Sequence, residues 1–246
     1  MAKTGAGVII FDGDDTLWET ERLYDRARED AAKIVQAAGL PAGLWEDIER
    51  KLDVANVARF GLSSLRFPSS CVEAYYRVAA LSKAAVSDTT EQRIRAAAES
   101  VFCATAPTVP GARRVLTAVR RYYRTVLLTQ GEPEVQRHRI ATSHLTDLFD
   151  AVEIVDSKEP SVFETTLAAM AAEPAASWMV GNSVRSDVNP AVATGMNAIW
   201  VNAHVWEYER SCDVVDSNAV HVAESLDAVP RIIADSQRSG LRAPQR

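Results

Sequence analysis

The stretch Val8-Ile9-Ile10-Phe11-Asp12-Gly13-Asp14-Asp15-Thr16-Leu17 constrains this chain more than any other. Four apolar residues in a row, three of them β-branched, predict a short strand buried on both faces. The chain then turns abruptly polar, with Gly13 set among Asp12, Asp14 and Asp15. Carboxylates packed this closely repel one another and are tolerable where they meet a cation or a proton. In open α/β sheets the chemistry sits just beyond the carboxyl ends of strands, which is where Asp12 and Asp14 fall. The plain alternative is a solvated acidic turn.

Length and composition narrow the classes. A chain of 246 residues accommodates one large domain or a core plus a smaller one. Its 47% hydrophobic and 24% charged residues read as a soluble globular protein with an ample core. The net charge of -6, without a long basic run, argues against a nucleic-acid partner. Cys71, Cys103 and Cys212 lie far apart without metal-ligand spacing, which suits a reducing compartment; the expected location is cytoplasmic. Val8–Phe11 is too short for a secretory signal, and no apolar run approaches a membrane span, so no membrane association is expected.

After Leu17 the apolar residues adopt helical spacing for about 90 residues, too long for a structureless loop. Leu23, Ala27, Ala31, Ile34, Val35 and Ala38 form one stripe, stopped at Gly39-Leu40-Pro41. Trp45, Ile48, Leu52 and Ala55 form a second; Val72, Tyr75, Tyr76 and Ala79 a third. Ile94, Ala97, Ala98, Val101 and Phe102 form a fourth, opened by Asp88-Thr89-Thr90-Glu91 in the manner of a capping box. The expectation is a helical domain over 18–107, inserted directly after the first strand. The aromatic residues Trp18, Trp45, Tyr75 and Tyr76 weigh toward its core over a substrate platform, with Trp18, near the hinge, having the best claim to meet substrate.

Pro107–Gly111 reads as the return linker. Strands are then expected at Thr125–Thr129, Ala151–Val155, Trp178–Val180, Ala198–Val201 and Ala219–Val222. Helices alternate with them at Ala112–Arg121, from Pro133, at Val162–Met170, Val188–Thr194 and Leu226–Ala234. This alternation predicts an α/β core, a doubly wound parallel sheet built from 1–17 and 108–235. The tail 236–246 is expected to fray.

Polar residues follow each of the first four core strands: Asp12 and Asp14; then Thr129, Gln130 and Gly131; then Lys158; then Gly181, Asn182, Ser183 and Asp187. Singly, Thr129 is an ordinary strand-end hydroxyl and Lys158 a surface lysine. Together they place carboxylates, a hydroxyl, an ammonium and backbone N–H groups on one sheet edge. That set suits Mg²⁺ and a phosphoryl group, because magnesium takes a few carboxylates, water and phosphate oxygens. The hydroxyl and the lysine hold the remaining oxygens.

In these residues the chain resembles the haloacid dehalogenase superfamily, in its phosphatase branch with a helical cap after the first strand. The family's D-x-D-x-T/V is matched by Asp12-Gly13-Asp14-Asp15-Thr16, and its strand ending in Ser or Thr by Leu127-Leu128-Thr129. The lysine before a helix is matched by Lys158, and G-D-x-x-x-x-D by Gly181 to Asp187, with Asn182 in place of the first acid. The resemblance implies a Rossmann-like core and Mg²⁺-dependent hydrolysis of a small phosphomonoester, such as a sugar phosphate or nucleotide, through an aspartyl-phosphate. Asp12 would be the nucleophile and Asp14 the general acid and base, with Thr129 and Lys158 assisting catalysis. Gly13, Thr129, Gln130 and Lys158 would hold the substrate phosphate. Asp12, Asp14 through its backbone carbonyl, Asp187 and Asn182 would form the metal set. A phosphomutase and a non-catalytic phosphate-binding module are the alternatives; retention of both Asp12 and Asp14 argues against the second.

Overall fold

The computed structural model describes residues 7–201, 206, 208, 212–215 and 217–240. It opens with β1 (Val8–Phe11), followed by α1 (Glu21–Ala37), α2 (Ala42–Ala55), α3 (Val57–Phe60), α4 (Arg66–Leu81) and α5 (Asp88–Glu99). Helices and strands then alternate: α6 (Ala112–Val119), β2 (Arg124–Gln130), α7 (Pro133–Ser143), β3 (Ala151–Val155) and α8 (Pro160–Ala169). The chain continues through β4 (Trp178–Gly181), α9 (Asn189–Ala193), β5 (Asn197–Val201), β6 (Val220–Ala223) and α10 (Val229–Gly240).

Among the described residues the strands form one parallel sheet in the order β3-β2-β1-β4-β5-β6. This is the doubly wound α/β fold expected from the alternation. Strand order reverses beside β1, so the switch point lies between β1 and β4. All of β1 is buried. Val8 and Ile10 pack with Phe163 and Leu167 of α8, Met179 of β4 and Ala191 of α9. By the strand's period of two, Ile9 and Phe11 face the opposite side, and they too are fully buried. A strand covered on both faces has no use for polar residues until it ends, which explains the abrupt change at Asp12.

Contacts divide the chain into two units. One comprises Met1–Glu19, Pro107–Gln130 and Ile140–Arg246, and holds the sheet. Within it the outgoing and returning linkers run side by side: Glu19 N–H donates to Pro107 O at 2.8 Å, and Val109 N–H to Leu17 O at 2.9 Å. The other comprises Thr20–Ala106 and Gly131–Arg139. The second segment was expected in the α/β part; it groups with the helices, and Ser64 N–H donates to its Glu132 Oε2 at 2.9 Å.

Local differences from the sequence reading have local causes. Helix α3 is too short to display a stripe. Helix α5 is capped one residue earlier than anticipated, by Ser87 Oγ accepting from Thr90 N–H at 3.4 Å. Of the tail expected to fray, 236–240 are helical, since α10 runs to Gly240, and 241–246 lie outside the described residues. Among the described residues no helix is long and apolar enough to cross a membrane.

The helical unit has its own core, in which Trp45, Phe67 and Tyr75 pack among Ala27, Ala31, Val35 and Ile94. Tyr76 is instead 42% exposed. A charged cluster is embedded in this core. Arg28 Nε donates to Glu49 Oε2 at 2.9 Å, and its Nη1 to Glu21 Oε1 at 3.2 Å. Its Nη2 lies 3.8 Å from Asp53 Oδ2, which Arg66 Nη1 meets at 2.5 Å. The guanidinium of Arg28 also stacks 5.2 Å from the Phe67 ring centre. Burial pushes the Glu49 carboxyl up to about 7, against the pull of Arg28.

Removing one member of a buried ion pair leaves the others uncompensated, at a cost of about 3–5 kcal/mol. Arg28→Met keeps the aliphatic stem and deletes the cation that three buried carboxylates share. It should lower unfolding free energy by about that amount, read by urea denaturation followed by circular dichroism. A loss below about 1 kcal/mol, the scale of exposed pairs, would show that the cluster is not held together by Arg28.

Candidate active site

Asp12 extends the ladder beyond β1: its N–H donates to Val180 O of β4 at 2.9 Å. The chain then turns on the Gly13 carbonyl, which accepts from Thr16, Leu17 and Trp18 N–H at 3.3, 2.8 and 3.3 Å. Asp15 takes a positive φ of 58° in this turn, a conformation that Asp tolerates better than most residues. A side chain at position 13 would collide with the Trp18 ring, its Cβ lying 2.5 Å from Cζ2 and 3.1 Å from Thr129 Oγ1. Only glycine lets the indole and the buried Thr129 hydroxyl close on this turn.

Lys158 follows β3, two strands away from β1, yet its ammonium reaches the switch point. Nζ donates to Asp12 Oδ1 at 2.5 Å and to Asp187 Oδ1 at 2.7 Å. All three residues are buried. Gln130 Nε2 donates to Asp156 O at 2.9 Å, tying the end of β2 to the loop that delivers Lys158. Its side chain thus supports that loop.

Asp187 is delivered by a single π-helical turn, Val184–Val188, opened by Ser183, whose Oγ accepts from Ser186 N–H at 2.9 Å. The wide turn folds Asp187 back over the end of β4, where Oδ2 accepts from Ser183 N–H at 3.0 Å. A Cβ at Gly181 would lie 2.2 Å from that Oδ2. Gly181, easily taken for a turn glycine, is required by the close approach of the carboxylate. Asn182 is anchored by Trp200 Nε1, which donates to its carbonyl at 2.9 Å, and its Oδ1 accepts from the Thr16 hydroxyl at 3.2 Å. Asp14 Oδ1 accepts from Trp18 Nε1 at 2.6 Å.

The structure therefore brings Asp12, Lys158 and Asp187 into direct contact, seats Thr129 beside Gly13, joins Asn182 to Thr16 and Asp14 to Trp18. Trp18, expected near the hinge with the best claim to meet substrate, instead bonds Asp14, and Thr16, the last residue of the first motif, bonds Asn182. Electrostatically the centre is one ammonium between two buried carboxylates. Burial is the largest influence on Asp12 and pushes it up to about 7; Lys158 opposes this, while Asp187 and Asp14 add to it. Burial works against the charge on Lys158, but Asp12 and Asp187 outweigh it and hold the amine above its ordinary range. Among the described residues no three His, Cys, Asp or Glu side chains converge as a metal-binding group. With an amide at position 182, the acidic side chains converging here are Asp12 and Asp187.

Residues 7–195 match the family model of the haloacid dehalogenase-like hydrolases. A glyceraldehyde 3-phosphate phosphatase of Pyrococcus furiosus is 26% identical over 89% of this chain and 92% of its own length. A phosphoserine phosphatase of Thermus thermophilus is 32% identical over 49% of this chain and 52% of its own. The solved structure of a haloacid dehalogenase-like family hydrolase from Xanthomonas campestris superposes with a TM-score of 0.78 at 25% identity, covering 97% of this chain and 99% of that one.

The packing of Asp187 on Gly181 makes a direct prediction. Gly181→Ala should destabilise the protein by about 1–3 kcal/mol, the range for overpacking a closed site, as measured by urea unfolding. An alanine variant as stable as the parent would show that Asp187 retreats without cost and that the close approach is not a constraint.

Proposed function

Because the chain belongs to the haloacid dehalogenase-like hydrolase family and is an enzyme of its phosphatase branch, we propose that it hydrolyses a small phosphomonoester through an aspartyl-phosphate. The observation that carries the reading is Asp12, held at the end of β1 by Lys158 and flanked by Asp14 two residues on. A carboxylate oxygen of Asp12 attacks phosphorus as the bond to the alcohol oxygen breaks. Asp14 gives its proton to that leaving oxygen. Water then attacks the phosphorus of the acyl phosphate and passes a proton to Asp14. Inorganic phosphate leaves, and the Asp12 carboxylate is restored. Lys158 orients Asp12 and offsets the charge of the incoming phosphate, and the Thr129 hydroxyl and the backbone near Gly13 hold equatorial oxygens.

The donor set fits Mg²⁺, which needs hard oxygen ligands and binds through one or two carboxylates plus substrate phosphate. Asp12, Asp187, the Asp14 carbonyl and Asn182 Oδ1 would hold it. The support is that Asp12 and Asp187 approach the same Nζ, and that two buried carboxylates exceed what Lys158 neutralises. Bound there, Mg²⁺ would supply charge neutralisation for the phosphoryl group. The hydroxyl of Thr16 already donates to Asn182 Oδ1, and a carbonyl oxygen has a second lone pair to offer. The relatives named for glyceraldehyde 3-phosphate and phosphoserine favour a short metabolite bearing phosphate on a primary alcohol. We place the activity in the cytoplasm, in keeping with the free thiols of Cys71 and Cys103. In this reading the helical unit acts as a cap that selects the substrate.

Phosphate release from a panel of small phosphate esters with Mg²⁺ tests the reading. Asp12→Asn should lower kcat by at least about 10³-fold while remaining folded; near-normal release from a clean preparation would refute the assignment. Asn182→Asp should lower the half-saturating Mg²⁺ concentration about 10-fold, and by more at low substrate, where phosphate is not already holding the metal. Identical Mg²⁺ dependence in both forms would place Asn182 outside the metal shell.

A further inference from the structure

We propose that Trp18 is the positioning residue for Asp14: its indole N–H fixes one carboxylate oxygen so that the other exchanges the proton with the leaving group and with water. The inference rests on the phosphatase reading above and adds to it a residue from outside the family's motif positions.

The contact is short, Nε1 to Oδ1 at 2.6 Å. Its donor is immobilised on every side. Trp18 is fully buried, and its six-membered ring lies against the Gly13 backbone, where an added Cβ would meet Cζ2 at 2.5 Å and Cη2 at 2.9 Å. The Trp18 backbone is paired in both directions, with Asp14 on one side and with Thr108 of the returning linker on the other. Its carbonyl accepts from Asp15 N–H at 2.7 Å. The indole therefore cannot follow Asp14 if the carboxyl rotates, whereas a water partner would.

The direction of this bond matters chemically. An indole nitrogen donates and never accepts, so Oδ1 must present a lone pair to it. While the bond stands, the transferable proton of Asp14 resides on Oδ2. In the forward step the Oδ2–H bond breaks as the new O–H bond of the alcohol forms and the P–O bond opens. In the second step Oδ2 takes a proton from the attacking water. A donor fixed before the reaction spares the carboxyl any reorganisation during it. Misplacement by about 1 Å at such a site can cost about 10²-fold in rate.

The test is replacement of Trp18 by 3-benzothienylalanine, which keeps the ring shape and substitutes sulfur for the N–H. Glycerol 3-phosphate, with a poor leaving group, is compared with p-nitrophenyl phosphate, with a good one, both with Mg²⁺. We expect kcat for glycerol 3-phosphate to fall about 10–100-fold. Single-turnover phosphorylation by p-nitrophenyl phosphate should fall less than about 3-fold, because a phenolate needs little protonation. KM should hold. In an Asp14→Asn background the same replacement should leave residual aryl turnover unchanged, the non-additivity expected of residues acting as a unit. Trp18→Phe is carried through the same cycle, so a failure of the first protein to fold does not end the test. Equal losses on both leaving groups, an effect confined to KM, or a loss that persists in the Asp14→Asn background would overturn the proposal and leave Trp18 as packing. A parent protein that releases phosphate from no ester would overturn the phosphatase reading, and this inference with it; a parent that turns over both esters isolates the inference.

Discussion

The ammonium of Lys158, set between Asp12 and Asp187, is the interaction on which the rest of the site depends. It joins loops that leave three different strands, β3, β1 and β4. Each of the three charges is buried, and an isolated buried charge would cost several kcal/mol. The contact is possible because of the strand order: neighbouring strands stand about 4.8 Å apart, so a lysine after β3 must pass the end of β2 to reach β1. The last buried residue of the strand it passes is Thr129, small and with no surface exposed to solvent. The order of the sheet and the side chain at its second strand end are thus parts of one geometric requirement.

The helical unit meets the same problem in its own interior, around Arg28. A buried ion network contributes little net stability when intact and costs much when broken. Such a network penalises every arrangement of α1, α2 and α4 that separates Arg28 from Glu49, or Asp53 from Arg66. The apolar part of this core is rich in alanine, and small residues alone discriminate weakly among packings of similar volume. The polar cluster and the apolar core therefore act on different quantities, one on arrangement and the other on burial.

Much of this was legible in the sequence. The apolar run of β1 and the change to polar residues at each strand end located Asp12, Thr129, Lys158 and Asp187 on one edge, since strand ends are punctuated by composition. What was hidden depends on backbone paths that no periodicity announces. The π-helical turn at Val184–Val188 sends Asp187 back over Gly181, and nothing in the spacing marks a turn of that width. Trp18 looked like a hinge aromatic facing substrate, whereas the turn on the Gly13 carbonyl buries it against the residues just before it. Helix α3 and the cap at Ser87 are small departures of the same kind, decided by a few local hydrogen bonds. The amide of Gln130 also has a backbone partner one strand away, which its place at a strand end does not announce.

Asn182 is best understood through the charge balance of this centre. Asp12 and Asp187 together exceed Lys158 by one negative charge, and burial already pushes the Asp12 carboxyl up to about 7. A third carboxylate at position 182, itself buried, would raise the repulsion on Asp12 further whenever no cation is bound. The amide avoids that repulsion and keeps an oxygen in place, steadied by Thr16 and by Trp200 through its own carbonyl. On the reading proposed above, the consequence falls on the metal: with one fewer anionic ligand, Mg²⁺ gains a larger share of its binding energy from the substrate phosphate. Metal and substrate affinities are then linked, each raising the other by the same factor. The substitution thus trades a site charged for metal in advance for one that assembles its cation and its substrate together.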